Sequence, residues 1–200
     1  MLFRSSNNFL QSTEFTLPRA FAANSALNFQ LKHFGKWHLT AISGTNANLG
    51  PCLIGGWPAF TGSLPGQLAD FYSWTKIVSD GTQAGTSSST STTYETTDLV
   101  NDAVSFINTQ TAAGKPWFTT VAFNAPHITQ ASPWYQLPPT SLLTAPYNAL
   151  SGTSADILAN PHTYYDAEIQ ALDTEIGRLL ASVDLSKTNV IFVEIGRAHV

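Results

Sequence analysis

Residues Phe34-Gly35-Lys36-Trp37-His38-Leu39 place an ammonium and an imidazole two positions apart, behind a glycine that frees the backbone. At the end of a strand, residues i and i+2 point to one face. Lys36 and His38 would therefore offer a fixed cation and a titratable ring to one spot, which suits a small tetrahedral anion such as sulfate or phosphate. Read alone, Lys-x-His is equally compatible with a solvated strand-edge lysine and a structural histidine. A third candidate, His127, follows Pro126 at the end of the apolar run Trp117–Phe123. A neutral-pH proton shuttle suits imidazole better than other side chains.

These residues have to be carried by an ordered sheet. Thr16 to Asn24 reads as a short helix entered through Pro18, and Asn28 to His33 as a strand with period-two alternation. From Thr40 to Gly66 the chain turns to Gly, Pro, Asn and Ser, a long surface excursion. The aromatics Trp57, Phe60, Phe71, Tyr72 and Trp74 either line a substrate rim there or pin the loop to the body. Ser79 to Thr93 is a Ser/Thr/Gly tract, expected as a flexible loop or an exposed hairpin. Thr97-Asp98 reads as the cap of a helix with Leu99, Val100, Ala103, Val104 and Ile107 on one face. Trp117 to Phe123 follows as a strand buried on both sides. A helix from about His162 to Val183 presents Tyr165, Ile169, Leu172, Ile176, Leu179 and Leu180, and Thr188 to Val193 reads as a last strand. Alternating helices and buried strands predict an α/β sandwich on a largely parallel sheet flanked by helices, whose ligands sit beyond the strand C-termini.

Composition narrows the function. Of the 200 residues, 43% are apolar and only 11% charged, with five Trp and twelve Phe, so a sizeable core is within reach. The formal charge of −4 argues against nucleic acid or an anionic membrane as partner, and no apolar run is long enough for a membrane span. The single Cys52 excludes an internal disulfide.

Gly35-Lys36-Trp37-His38-Leu39 resembles the Gly-Lys-Trp-His-Leu-Gly signature of the sulfatases, a branch of the alkaline phosphatase superfamily, with Thr40 at the sixth position. Trp117 to His127 looks like the strand ending in the family's Ala-Pro-His, and Tyr164 to Leu180 like the helix after it. The resemblance runs from about Thr16 to Val193. It implies hydrolysis of sulfate esters through a formylglycine nucleophile and a divalent cation, commonly calcium. It assigns Lys36 to the sulfuryl oxygens, His38 to the proton of the formylglycine, and His127 to the sulfate and the leaving oxygen. The substrate would be a small-molecule or carbohydrate sulfate ester, and family members are often periplasmic or secreted. A phosphonate monoester or phosphodiester hydrolase of the same superfamily, or a non-catalytic anion or carbohydrate binder, remain alternatives.

Beyond Thr40, the chain departs from the family in two further places. Cys/Ser-x-Pro-x-Arg, source of the formylglycine, does not occur: Cys52 leads into Leu53-Ile54-Gly55, and Ser63-Leu64-Pro65-Gly66-Gln67 lacks the arginine. Glu194-Ile195-Gly196-Arg197-Ala198-His199-Val200 is the translation of GAG ATC GGA AGA GCA CAC GTC, a short-read sequencing adapter, where the family's metal aspartate is due. The chain is therefore expected to be residues 1–193 of a partial sulfatase domain followed by an artefact. It should be inactive alone and bind no metal, the calcium belonging to the full-length parent.

Overall fold

The computed structural model describes residues 9–41, 43, 44 and 46–194. In chain order the regular elements are α1 (Leu17–Ala23), β1 (Gln30–Lys36), α2 (Gly50–Leu53), β2 (Phe60–Ser63), β3 (Trp74–Ser79), β4 (Thr86–Ser91), α3 (Glu95–Ala112), β5 (Trp117–Ala122), α4 (Ser154–Ala159) and α5 (Pro161–Leu180). The strands form one sheet in the order β4-β3-β2-β1-β5. β1 runs parallel to both β2 and β5, whereas β3 and β4 extend the sheet as an antiparallel hairpin. This is the α/β sheet flanked by helices, its parallel part confined to the three strands that carry the candidate residues.

Alternation along β1 sorts its side chains between two faces. Leu31, His33 and, just past the strand, Trp37 enter an apolar cluster with Trp57, Phe60, Leu64 and Ile77, against which Phe21 of α1 and Phe118 of β5 pack. Phe34 faces the opposite layer and meets Phe106 of α3 with ring centroids 5.8 Å apart. α5 lies on α3, outside the sheet. Gly35 has φ +94°, and a Cβ there would collide with the Ala122 carbonyl, so only glycine allows β1 and β5 this approach.

Several expectations need correction. β1 starts and ends later than the expected strand. α3 opens at Glu95, so Thr97-Asp98 lies inside the helix, where Asp98 pairs with Lys76 and accepts from Ser91 Oγ. The Ser/Thr tract supplies β4, so the exposed hairpin is the form adopted. Trp117–Ala122 is an edge strand and half-buried throughout, because β1 is its sheet neighbour on one side alone among the described residues. On α5 the enclosed residues are Tyr164, Ala167, Glu168, Ala171 and Glu175, whereas Tyr165 and Ile169 are exposed. The buried face is thus rotated from the apolar stripe, because Glu168 and Glu175 find hydrogen-bond donors inside. Glu175 accepts from Thr97 Oγ1 and pairs with Arg178. Residues 188–193 form no strand; Ile191 is 82% exposed. A strand needs a neighbour's peptide groups to replace water, and none among the described residues reaches this segment. The adapter-like heptapeptide, apart from Glu194, lies outside the described residues.

The loop aromatics are mostly anchors. Trp57, Phe60, Phe71 and Trp74 are buried, and only Tyr72 reaches the surface. No helix among the described residues is long and apolar enough to cross a membrane.

Candidate oxyanion site

The C-terminal ends of β1, β2 and β5 meet at one corner. Lys36 closes β1 in register with Ser63, the last residue of β2. Past the strand, Trp37 N–H donates to Ser63 O at 2.9 Å and His38 N–H to Leu64 O at 3.0 Å, so the two chains stay paired. His38 then turns off with φ +43°. Its relation to Lys36 is therefore set by a left-handed residue after the strand rather than by strand alternation. The imidazole lies against Gly66, where any Cβ would strike the ring. Gly66 thus leaves the space that the ring fills.

His127 arrives from β5. Asn124 and Ala125 are buried after the strand, Asn124 O accepts His127 N–H at 2.9 Å, and His127 Nδ1 lies 3.0 Å from Ile128 O. With the Ile128 carbonyl as acceptor, Nδ1 carries the proton and Nε2 is left as an acceptor in the neutral ring. His127 and His38 are both exposed, and Lys36 is half-buried.

The electrostatics bind the three together. Burial lowers Lys36 from the ordinary lysine range, and the carboxyl of Glu95 draws it partly back. The Lys36 ammonium makes no hydrogen bond or ion pair among the described residues. His38 is also lowered, first by burial, then by the Lys36 charge and by His127. Lys36 and His127 are thus both close enough to act on the His38 ring. A corner of this kind neutralises an incoming oxyanion, and its lowered imidazole is free to accept a proton at neutral pH.

Two supporting residues escape a reading of sequence alone. His33, expected to be structural or exposed, is buried between Trp37, Trp57 and Phe60, with ring centroids 5.5, 5.4 and 5.6 Å away. Its Nε2–H donates to Lys36 O at 3.2 Å, and Nδ1 takes the Thr120 hydroxyl at 2.5 Å. Burial pushes its pKa down to about 4, so the neutral ring fixes the backbone of Lys36. Asn124 donates from Nδ2 to Ser63 Oγ at 2.9 Å and to Glu95 Oε1 at 2.7 Å, tying β2, β5 and α3 beneath the corner. An Asn before Ala-Pro-His was visible in the sequence; its partners, 61 and 29 positions away, were not.

No three His, Cys, Asp or Glu side chains among the described residues could together hold a metal ion.

The parallel strands β1 and β5 of an α/β sheet lead to a lysine and two histidines at one edge. The sulfatase family profile matches residues 3–195, and the chain belongs to that family. Among solved structures it is similar to a Bacteroides thetaiotaomicron protein from a locus for the metabolism of multiple glycosaminoglycans, at 14% identity and a TM-score of 0.50 over 79% of this chain and 36% of the other. It is also similar to yidJ of Bacteroides fragilis, described as a sulfatase, at 18% identity and a TM-score of 0.51 over 80% of this chain and 38% of the other. The chain therefore spans well under half the length of these relatives. No curated protein sequence matches it.

Proposed function

We propose that this chain supplies the sulfuryl-binding corner of a sulfuric ester hydrolase. One observation carries the reading: a half-buried lysine ammonium, unpaired among the described residues, sits at the end of a parallel strand and, with His127, acts on the exposed imidazole of His38. Lys36 would bind sulfuryl oxygens and offset the charge they gain, an interaction worth about 3 kcal/mol when well placed. His38, neutral at working pH, would accept the proton released as the covalent intermediate collapses. His127 would hydrogen-bond or protonate the leaving oxygen. The nucleophile, a formylglycine by family resemblance, and the residues holding calcium would come from outside the described chain. The substrate would be a small-molecule or carbohydrate sulfate ester, in keeping with the glycosaminoglycan locus of one structural relative.

Two measurements test this. Titration of the chain with inorganic sulfate should shift the ring signals of His38 and His127 together; sulfate binding that leaves both unmoved would refute the corner. The full-length gene product should hydrolyse nitrophenyl sulfate faster than nitrophenyl phosphate, while the 200-residue chain alone turns over neither.

A further inference from the structure

Behind Lys36 lies a polar cluster that the reaction outlined above does not use. Glu95, the first residue of α3, is fully enclosed and receives Asn124 Nδ2 at 2.7 Å. The same amide reaches Ser63 Oγ, and Asn124 O holds the N–H of His127. One carboxyl is thereby joined to the residue in register with Lys36 and to the turn that carries His127. Two acceptors of the cluster, Glu95 Oε2 and Asn124 Oδ1, are buried without a hydrogen-bond partner among the described residues. Thr96 Oγ1 is near enough to favour the ionised carboxyl but not placed to bond it. The charged or titratable groups facing Glu95 are Lys36 from β1, and Asp98 and Tyr94 from the start of α3; β2 and the end of β5 present the uncharged Ser63 and Asn124. Glu168 of α5 acts on Tyr94.

Building on the oxyanion reading, we propose that Glu95 is a positioning residue whose negative charge competes with the bound oxyanion for the Lys36 ammonium, so that capture of the anion is coupled to protonation of Glu95. An ionised Glu95 and a sulfate dianion draw on the same cation and repel each other. Protonation removes that repulsion and gives Oε2 a hydrogen to donate. Each anion bound to the ionised form takes one proton from solvent, and its departure returns it. Burial pushes the Glu95 carboxyl up to about 7, which sets the exchange at neutral pH. The bond from Asn124 opposes that rise, and Asp98 adds to it. His38 is lowered from the ordinary imidazole value of 6.5, so above neutrality its ring contributes little to the slope.

Calorimetric titration of the chain with inorganic sulfate, between about pH 7 and pH 8.5 in two buffers of different ionisation heat, tests this. Sulfate stays dianionic across the range. Affinity should fall as pH rises, at a limiting slope of about tenfold per unit, with net proton uptake on binding. Glu95→Gln keeps an acceptor for Asn124 and should bind sulfate with neither slope nor uptake. The wild-type chain gives the same answer without a variant, since the carbon-13 titration of the Glu95 carboxyl should move upward when sulfate saturates the site. A pH slope that survives in E95Q, or a Glu95 titration unmoved by sulfate, overturns the role of Glu95 and leaves the anion site standing. A chain that binds no sulfate at any pH overturns both readings.

Discussion

The segment from His33 to His38 feeds two regions that treat polar groups in opposite ways. On one face of the sheet His33 is enclosed by Trp37, Trp57 and Phe60, both ring nitrogens are used, and the group is held neutral. At the strand end Lys36 is only half-buried, its ammonium is unpaired among the described residues, and the carboxyl that acts on it, Glu95, is itself pushed toward neutrality by burial. Burying a polar group is tolerable when its bonds are satisfied. Leaving a cation unsatisfied costs stability, and such a cost usually marks a place kept ready for a ligand. The enclosed box therefore serves as the mount, and the corner as the working surface.

The largest effect should come from breaking both at once. Gly35→Ala adds a methyl group against the Ala122 carbonyl at φ +94°, and separating β1 from β5 should cost about 3 kcal/mol or more in denaturant unfolding. A variant of near wild-type stability would mean that this strand contact holds neither region.

The box alone is probed by acid. The folded-state pKa of His33, about 4, lies below its unfolded value of 6.5. The unfolded chain therefore takes up the proton first. The stability His33 contributes is complete above about pH 6.5 and is lost as pH falls toward 4, on the order of 3 kcal/mol in all. His33→Phe should remove that share of the acid slope in thermal melts at stepped pH. An unchanged slope would show that other groups carry it.

The sequence displayed the corner better than the mount. Lys36, His38 and His127 stand in blocks that resemble the family's signatures, so their types and near neighbours could be read together. Glu95 and His33 had no such mark, since their roles arise from contacts with Asn124, Ser63 and Thr120 far along the chain. The long helices α3 and α5 and the strand β5 followed from periodicity, but β2, buried inside the expected surface excursion, and β3 did not, and neither did burial. α5 buries two glutamates and leaves Tyr165 and Ile169 exposed, because periodicity reports an apolar face and not what lies against it. The strand expected at 188–193 failed for the same reason: its composition is right, and no described strand lies beside it.

Removing the charge sharpens the contrast. Lys36→Met deletes a cation that forms no ion pair among the described residues, so thermal stability should stay within about 0.5 kcal/mol of wild type or rise. Sulfate affinity, read from the ring signals of His38 and His127, should fall about tenfold to a hundredfold. A large loss of stability with unchanged sulfate binding would move Lys36 from the corner to the mount.

The smallest effect concerns the residue where the chain departs from the family signature. Thr40 replaces the expected glycine, and its Oγ1 accepts Trp37 Nε1–H at 2.8 Å inside the protein. Its side chain also packs so closely on Gly50 that a Cβ there would strike it. The threonine thus satisfies an indole donor that would otherwise be buried without a partner, and it belongs to the mount. Thr40→Gly should cost about 1–2 kcal/mol, Thr40→Ser should restore most of that, and neither should alter sulfate affinity. If T40G weakened sulfate binding as much as it weakened the fold, box and corner would be a single unit, and the division drawn at residue 36 would fail.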